Sequence, residues 1–146
     1  MVLADTRSDT SATAVPIADE APGYLVETFD YPGADAIKAE KGITLKRGDG
    51  HIVLADCVTG SGQLEVRSRD DNKLYCFRVT GASGFLTMEI PAVYGIRGND
   101  YTTEATMTVD DETTTYDIKK NLWTNVGETA DPEERDFMLL ELRTTK

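Results

Sequence analysis

The sequence predicts an all-β fold, a two-sheet antiparallel β-sandwich of jelly-roll or Greek-key type with one short helix. The first observation behind this is strict alternation of apolar and polar residues. Leu64-Glu65-Val66-Arg67, Phe85-Leu86-Thr87-Met88-Glu89-Ile90 and Tyr101 to Val109 each place one apolar and one polar face on an extended chain. The second is the regular punctuation by turn residues, such as Gly60-Ser61-Gly62, Asp70-Asp71-Asn72, Gly81-Ala82-Ser83-Gly84 and Gly98-Asn99-Asp100. The third is the near absence of helical periodicity. One-sided alternation is the pattern of antiparallel sheets packed on one face and wet on the other.

The elements follow in order. Residues 1–22 are rich in Ala, Thr, Ser and Asp, without large aromatics, and are expected to form a disordered leader or linker. Residues 23–146 are expected to form a single domain. A first strand is predicted over Tyr24–Phe29. The helix is predicted over Ala34–Lys41, with Asp35 in its first turn to suit the dipole and Gly42 as a left-handed stop. Two helical turns are not stable alone, so this helix is expected to cap the sandwich or cover a sheet edge. Strands are then predicted over Ile43–Lys46, His51–Cys57, Gln63–Arg69, Lys73–Thr80, Phe85–Ile90, Val93–Ile96, Tyr101–Val109, Thr113–Lys119 and Phe137–Arg143, most joined by tight hairpins. Asn125 to Asp136, acidic and carrying Pro132, reads as an exposed loop.

Composition narrows the function. The 146 residues include 26 acids and 15 bases, a formal charge of −11. Residues 1–40 carry 8 acids and 2 bases, whereas residues 41–80 carry 5 acids and 7 bases. A net acidic chain repels phosphate backbones and anionic lipid, so neither nucleic acid nor a membrane is an expected partner. No stretch approaches the roughly 20 apolar residues that cross a bilayer. The mildly basic middle is either a solvated face or a local anion-facing patch.

Cys57 and Cys76 match no metal or redox spacing, and the single histidine leaves zinc without its usual ligands. They are predicted to form one disulfide, which implies an oxidising compartment and hence an extracellular, secreted protein. Residues 1–22 contain no basic n-region or apolar h-region, so no signal peptide is read there.

Catalytic chemistry finds little support. His51 has no serine in a nucleophile-elbow context to serve, since Gly81-Ala82-Ser83-Gly84-Phe85 lacks the last glycine of that motif. Glu65, Glu89 and Glu104 are the carboxylates that a glycoside hydrolase would need facing one another, though each lies on the polar parity any solvated sheet shows. Asp70, Asp71, Asp110 and Asp111 supply hard oxygen ligands at loop tips and are the candidates for calcium, as an alternative to ordinary Asx turns. Arg47-Gly48-Asp49 resembles the adhesion tripeptide read by integrins, but Gly-Asp-Gly is also a favoured turn and no neighbouring residue adds to the resemblance.

The aromatics give the leading expectation. Trp123 and Tyr94 are candidate stacking residues for a sugar ring, with Arg97, Asn99 and Asp100 as polar partners. The sequence therefore predicts a secreted, non-catalytic binding module for a carbohydrate or an extracellular protein, with calcium as the one candidate cofactor. The alternative is a small protease inhibitor presenting Lys46-Arg47-Gly48 or Arg67-Ser68-Arg69 to a trypsin-like pocket.

Overall fold

A computed structural model describes residues 29–146, and Tyr31–Lys146 form one compact unit. The predicted leader and all but the last residue of the predicted first strand, Tyr24–Phe29, lie outside the described residues. The unit is a sandwich of two antiparallel five-stranded sheets with one short α-helix, as the alternation predicts.

Helix α1 spans Ala34–Lys41, and Gly42 closes it in the left-handed conformation (φ 76°), its N–H returning to the Lys38 carbonyl. The strands are β1 (Thr44–Gly48), β2 (Ile52–Ala55), β3 (Leu64–Ser68), β4 (Lys73–Val79), β5 (Ser83–Ile90) and β6 (Val93–Arg97). They continue with β7 (Thr102–Val109), β8 (Glu112–Ile118), β9 (Trp123–Asn125) and β10 (Met138–Thr145). Sheet I has the order β9-β6-β3-β4-β2, and sheet II the order β1-β5-β10-β7-β8.

Parity decides the core. Leu86, Met88 and Ile90 of β5 and Ala105, Met107 and Val109 of β7 are buried, and the residues between them are half-buried or exposed. Phe77, Leu64, Val66 and Ile96 from sheet I meet Leu139 and Leu142 from sheet II in one continuous apolar layer. Such layers supply most of the stability of a sandwich. The helix buries none of its residues fully but packs Ile37 against this core. Its last carbonyl, on Lys41, accepts the Tyr75 hydroxyl at 3.3 Å.

The hairpin expectation needs correction. Among the described residues, only β3–β4 and β7–β8 join strands that are both consecutive in sequence and neighbours in a sheet. The Arg47-Gly48-Asp49 turn is not a hairpin tip, because β1 and β2 belong to different sheets. It is a corner at which the chain changes layer. There Asp49 accepts N–H groups from His51 and Phe85 at 3.1 and 3.3 Å.

The stretch from Asn125 to Asp136 also differs from the exposed loop expected. It opens with the last residue of β9, buries Val126 and Gly127, and turns through a short 3₁₀ segment over Gly127–Ala130. Arg135 organises the remainder of the stretch. Its side chain donates to both carboxylate oxygens of Asp131 (2.9 and 3.1 Å) and to Asp110 on the β7–β8 turn (3.2 Å). The guanidinium and the Arg135 backbone N–H together hold the Asp131 carboxyl down from the usual 3.8 to about 2. A depressed carboxylate pKa stabilises the folded state above the unfolded value and loses that contribution as pH falls through the folded value. Asp131→Asn is therefore expected to lower the urea midpoint at pH 6. The gap from the parent should close between about pH 4 and pH 2. A gap that stayed constant down to pH 2 would show that charge at Asp131 plays no part.

Candidate functional site

Sheet I presents an outer face whose makeup follows from register. Trp123, Arg97, Glu65, Cys76 and Ala55 align in one row across the strands. Asn125, Gly95, Arg67 and Leu74 align in the next. The row between them, with Ile96, Val66 and Tyr75, points into the core.

The register shifts between Arg67 and Ser68 where β3 meets β6, a bulge that inserts Tyr94 between Val93 and Gly95. Val93 keeps its place in the core, while Tyr94 is half-buried and lies beside Arg69, just beyond the end of β3. The consequence is a pair of neighbouring stacks. The Arg67 guanidinium lies 4.0 Å from the Trp123 ring centroid, and the Arg69 guanidinium lies 4.0 Å from that of Tyr94. Each such contact contributes about 0.5–1 kcal/mol at an exposed site.

The Trp123 ring lies over Gly95, where an added Cβ would sit 3.5 Å from it, in ordinary contact. Glu128 completes the arrangement, accepting the Arg69 Nε–H at 2.8 Å and holding the Arg69 pKa above its ordinary value. The disulfide is present. Cys57 bonds to Cys76 with a Cα–Cα distance of 5.2 Å, tying the chain after β2 to the middle of β4.

The remaining candidates fall elsewhere. Asn99 is 3% exposed, donates to the Gly62 carbonyl at 3.0 Å and accepts the Tyr101 N–H at 3.0 Å. Its amide holds the β6–β7 turn against the β2–β3 connection. Asp100 accepts from Asn121 at 2.8 Å and fastens that turn to the one before β9. Asp70 and Asp71 sit on the 3₁₀ turn before β4, while Asp110 and Asp111 sit between β7 and β8. Among the described residues no group of three or more His, Cys, Asp or Glu is placed to hold a metal.

The carboxylates considered for hydrolysis are dispersed. Glu65 is on sheet I, and Glu89 and Glu104 are on strands of sheet II separated by β10. Glu89 pairs with Lys46 at 2.6 Å. His51 is packed against Gly81, where a Cβ would stand 2.6 Å from Nδ1, and its ring nitrogen lies 3.4 Å from the Thr80 hydroxyl.

A groove of about 470 Å³ beside α1 and β2, lined by Tyr31, Ile37, Leu54 and Arg78 among others, is partly spent on structure. The Tyr31 hydroxyl in it accepts the Leu54 N–H at 2.8 Å and so occupies the edge of β2.

Sequence reasoning overlooked Arg67, Arg69, Gly95 and Glu128 as parts of this face. One signal was present: Arg67 and Arg69 share the polar parity of β3. No protein-family model matches the chain, and no curated protein is significantly similar to it.

Proposed function

We propose that the protein is a secreted, non-catalytic binding module, that its ligand surface is the outer face of sheet I, and that the ligand is a carbohydrate. The observation that carries this reading is the pair of neighbouring arginine–aromatic stacks on an open sheet face. They rest two guanidinium groups against aromatic rings on the face that also carries Arg97. Preordered donors of this kind reduce the ordering cost of binding a hydroxyl-rich or charged sugar. The disulfide suits an oxidising, extracellular setting.

A glycan array, run with and without calcium, tests the reading. Specific binding is expected, and Trp123→Ala should weaken it by about tenfold, because the ring and the support of Arg67 go together. A calcium requirement would bring the Asp70–Asp71 and Asp110–Asp111 turns into the site. A blank array would sink the carbohydrate reading.

A second reading is an extracellular protein partner. Leu74, 42% exposed beside Arg67, and Leu122, 60% exposed next to Trp123, favour it, since arginine and aromatics rimmed by apolar groups are typical of protein interfaces. The inhibitor alternative gains less. Lys46 and Arg47 lie within β1, paired to β5, and Arg69 is already stacked and ion-paired.

A further inference from the structure

We infer that the carbohydrate held by this face is anionic, a polysaccharide carrying carboxylate or sulfate groups contacted by Arg97, Arg67 and Arg69, with Arg78 beyond them. This rests on the carbohydrate reading above and narrows it. The chain as a whole carries a charge of −11. The outer face of sheet I nonetheless gathers Arg67, Arg69, Arg78 and Arg97, with Glu65 opposite Arg97, Glu128 and Asp136 beside Arg69, and Asp56 in the groove with Arg78.

Glu128 is spent on Arg69, whereas Arg97 and Arg78 have no hydrogen-bond or ion-pair partner among the described residues. Local positive charge that an acidic protein leaves unpaired is a site for an anion. Register adds spacing. Arg67 and Arg69 follow Glu65 at every second position, Arg69 just past the end of β3, while Arg97 stands opposite Glu65 on the neighbouring strand β6. Successive positions of one parity lie about 7 Å apart along a strand. Four cations spread over neighbouring strands suit a chain carrying several anionic groups better than one small ion.

The stacks also separate the ligand classes. A neutral pyranose stacks on a bare aromatic face, and the ring faces engaged by Arg67 and Arg69 are closed to it. An acidic protein would look for a cluster of apolar anchors, and among the described residues the large exposed apolar side chains beside these arginines and Trp123 are Leu74 and Leu122, at opposite sides of the face. What the face offers outward is guanidinium N–H, the group that pairs with carboxylate and sulfate oxygens.

The test is calorimetric titration of the full chain with dextran sulfate, polygalacturonate, unmodified dextran and polyglutamate, at physiological salt. An Arg67→Gln/Arg97→Gln double variant and an Arg143→Gln control on sheet II are run beside it, with folding of each checked by circular dichroism. Binding of at least one acidic polysaccharide but not of dextran is expected. The double variant should lose about a hundredfold in affinity, tenfold for each arginine, while the control stays near the parent.

Equal binding of dextran, or equal loss in the control, would overturn the anionic assignment and leave carbohydrate recognition standing. An unaffected double variant would do the same. Polyglutamate bound as tightly as the acidic polysaccharides would overturn it in favour of an acidic protein partner. If none of the polysaccharides binds and the glycan array is also blank, both readings fall together.

Discussion

Gly127→Ala is expected to be among the most damaging single substitutions in the described residues, lowering stability by about 3 kcal/mol. Two costs coincide there. Gly127 has φ +56°, which an alanine adopts at about 1–2 kcal/mol. The added Cβ would also stand 2.4 Å from the Val93 carbonyl oxygen, 3.1 Å from Phe137 Cβ and 3.3 Å from Met107 Cε. The nearest of these is backbone and cannot turn aside as a side chain can, and overpacking at such a site costs about 1–3 kcal/mol. Gly98→Ala provides the comparison. Its Cβ would meet the Lys119 carbonyl oxygen at 2.2 Å without the positive φ, so it should be destabilised by the second cost alone. Guanidinium unfolding of both variants would check this. A parental midpoint for Gly127→Ala would mean that the 3₁₀ segment does not lie against β6 as described.

Loss of the Cys57–Cys76 bond should be felt about as strongly. The sequence separation is 19, and closing a loop of that length stabilises the folded state by about 3 kcal/mol relative to the open chain. The effect should extend to the outer face of sheet I. Cys76 lies in the row of Glu65, Arg97 and Trp123, and Cys57 belongs to the connection that Gln63 also holds, through the Asp56 carbonyl at 2.7 Å and the Val58 N–H at 2.9 Å. Denaturant melts with and without a reductant, repeated on the Cys57→Ala/Cys76→Ala variant, measure it. The two should agree. An unchanged midpoint on complete reduction would show that hydrogen bonds hold the β2–β3 connection unaided.

Local pattern made much of this fold legible. Strands β3, β5 and β7 are long enough for alternation to fix both their existence and their buried face, and Gly42 marks the end of α1 because only its conformation matters there. Strand β9 was harder to read. Three residues, Trp123–Asn125, cannot show a period, and they pair only as an edge beside β6. Val126 and Gly127 escaped notice because the acids around them suggest solvent, and only the fold reveals that Arg135 gathers Asp110 and Asp131.

The candidate site was legible as a set of residue types and not as an arrangement. Trp123 and Tyr94 stand out by chemistry alone. Their stacking on Arg67 and Arg69 depends on which strands become neighbours and on one inserted residue at a bulge. Neither is written in any local window. Asn99 shows the converse. As a polar residue in a turn it suggests a ligand contact, while tertiary packing gives both ends of its amide internal partners.

The final strand, β10, lies between β5 and β7 at the centre of sheet II. On a ribosome or at a translocation pore, this sheet therefore has no middle until Met138–Thr145 has emerged. Strands β5 and β7 wait with unpaired backbone edges, and pairing closes late, over long sequence separations that make β topologies slow to form.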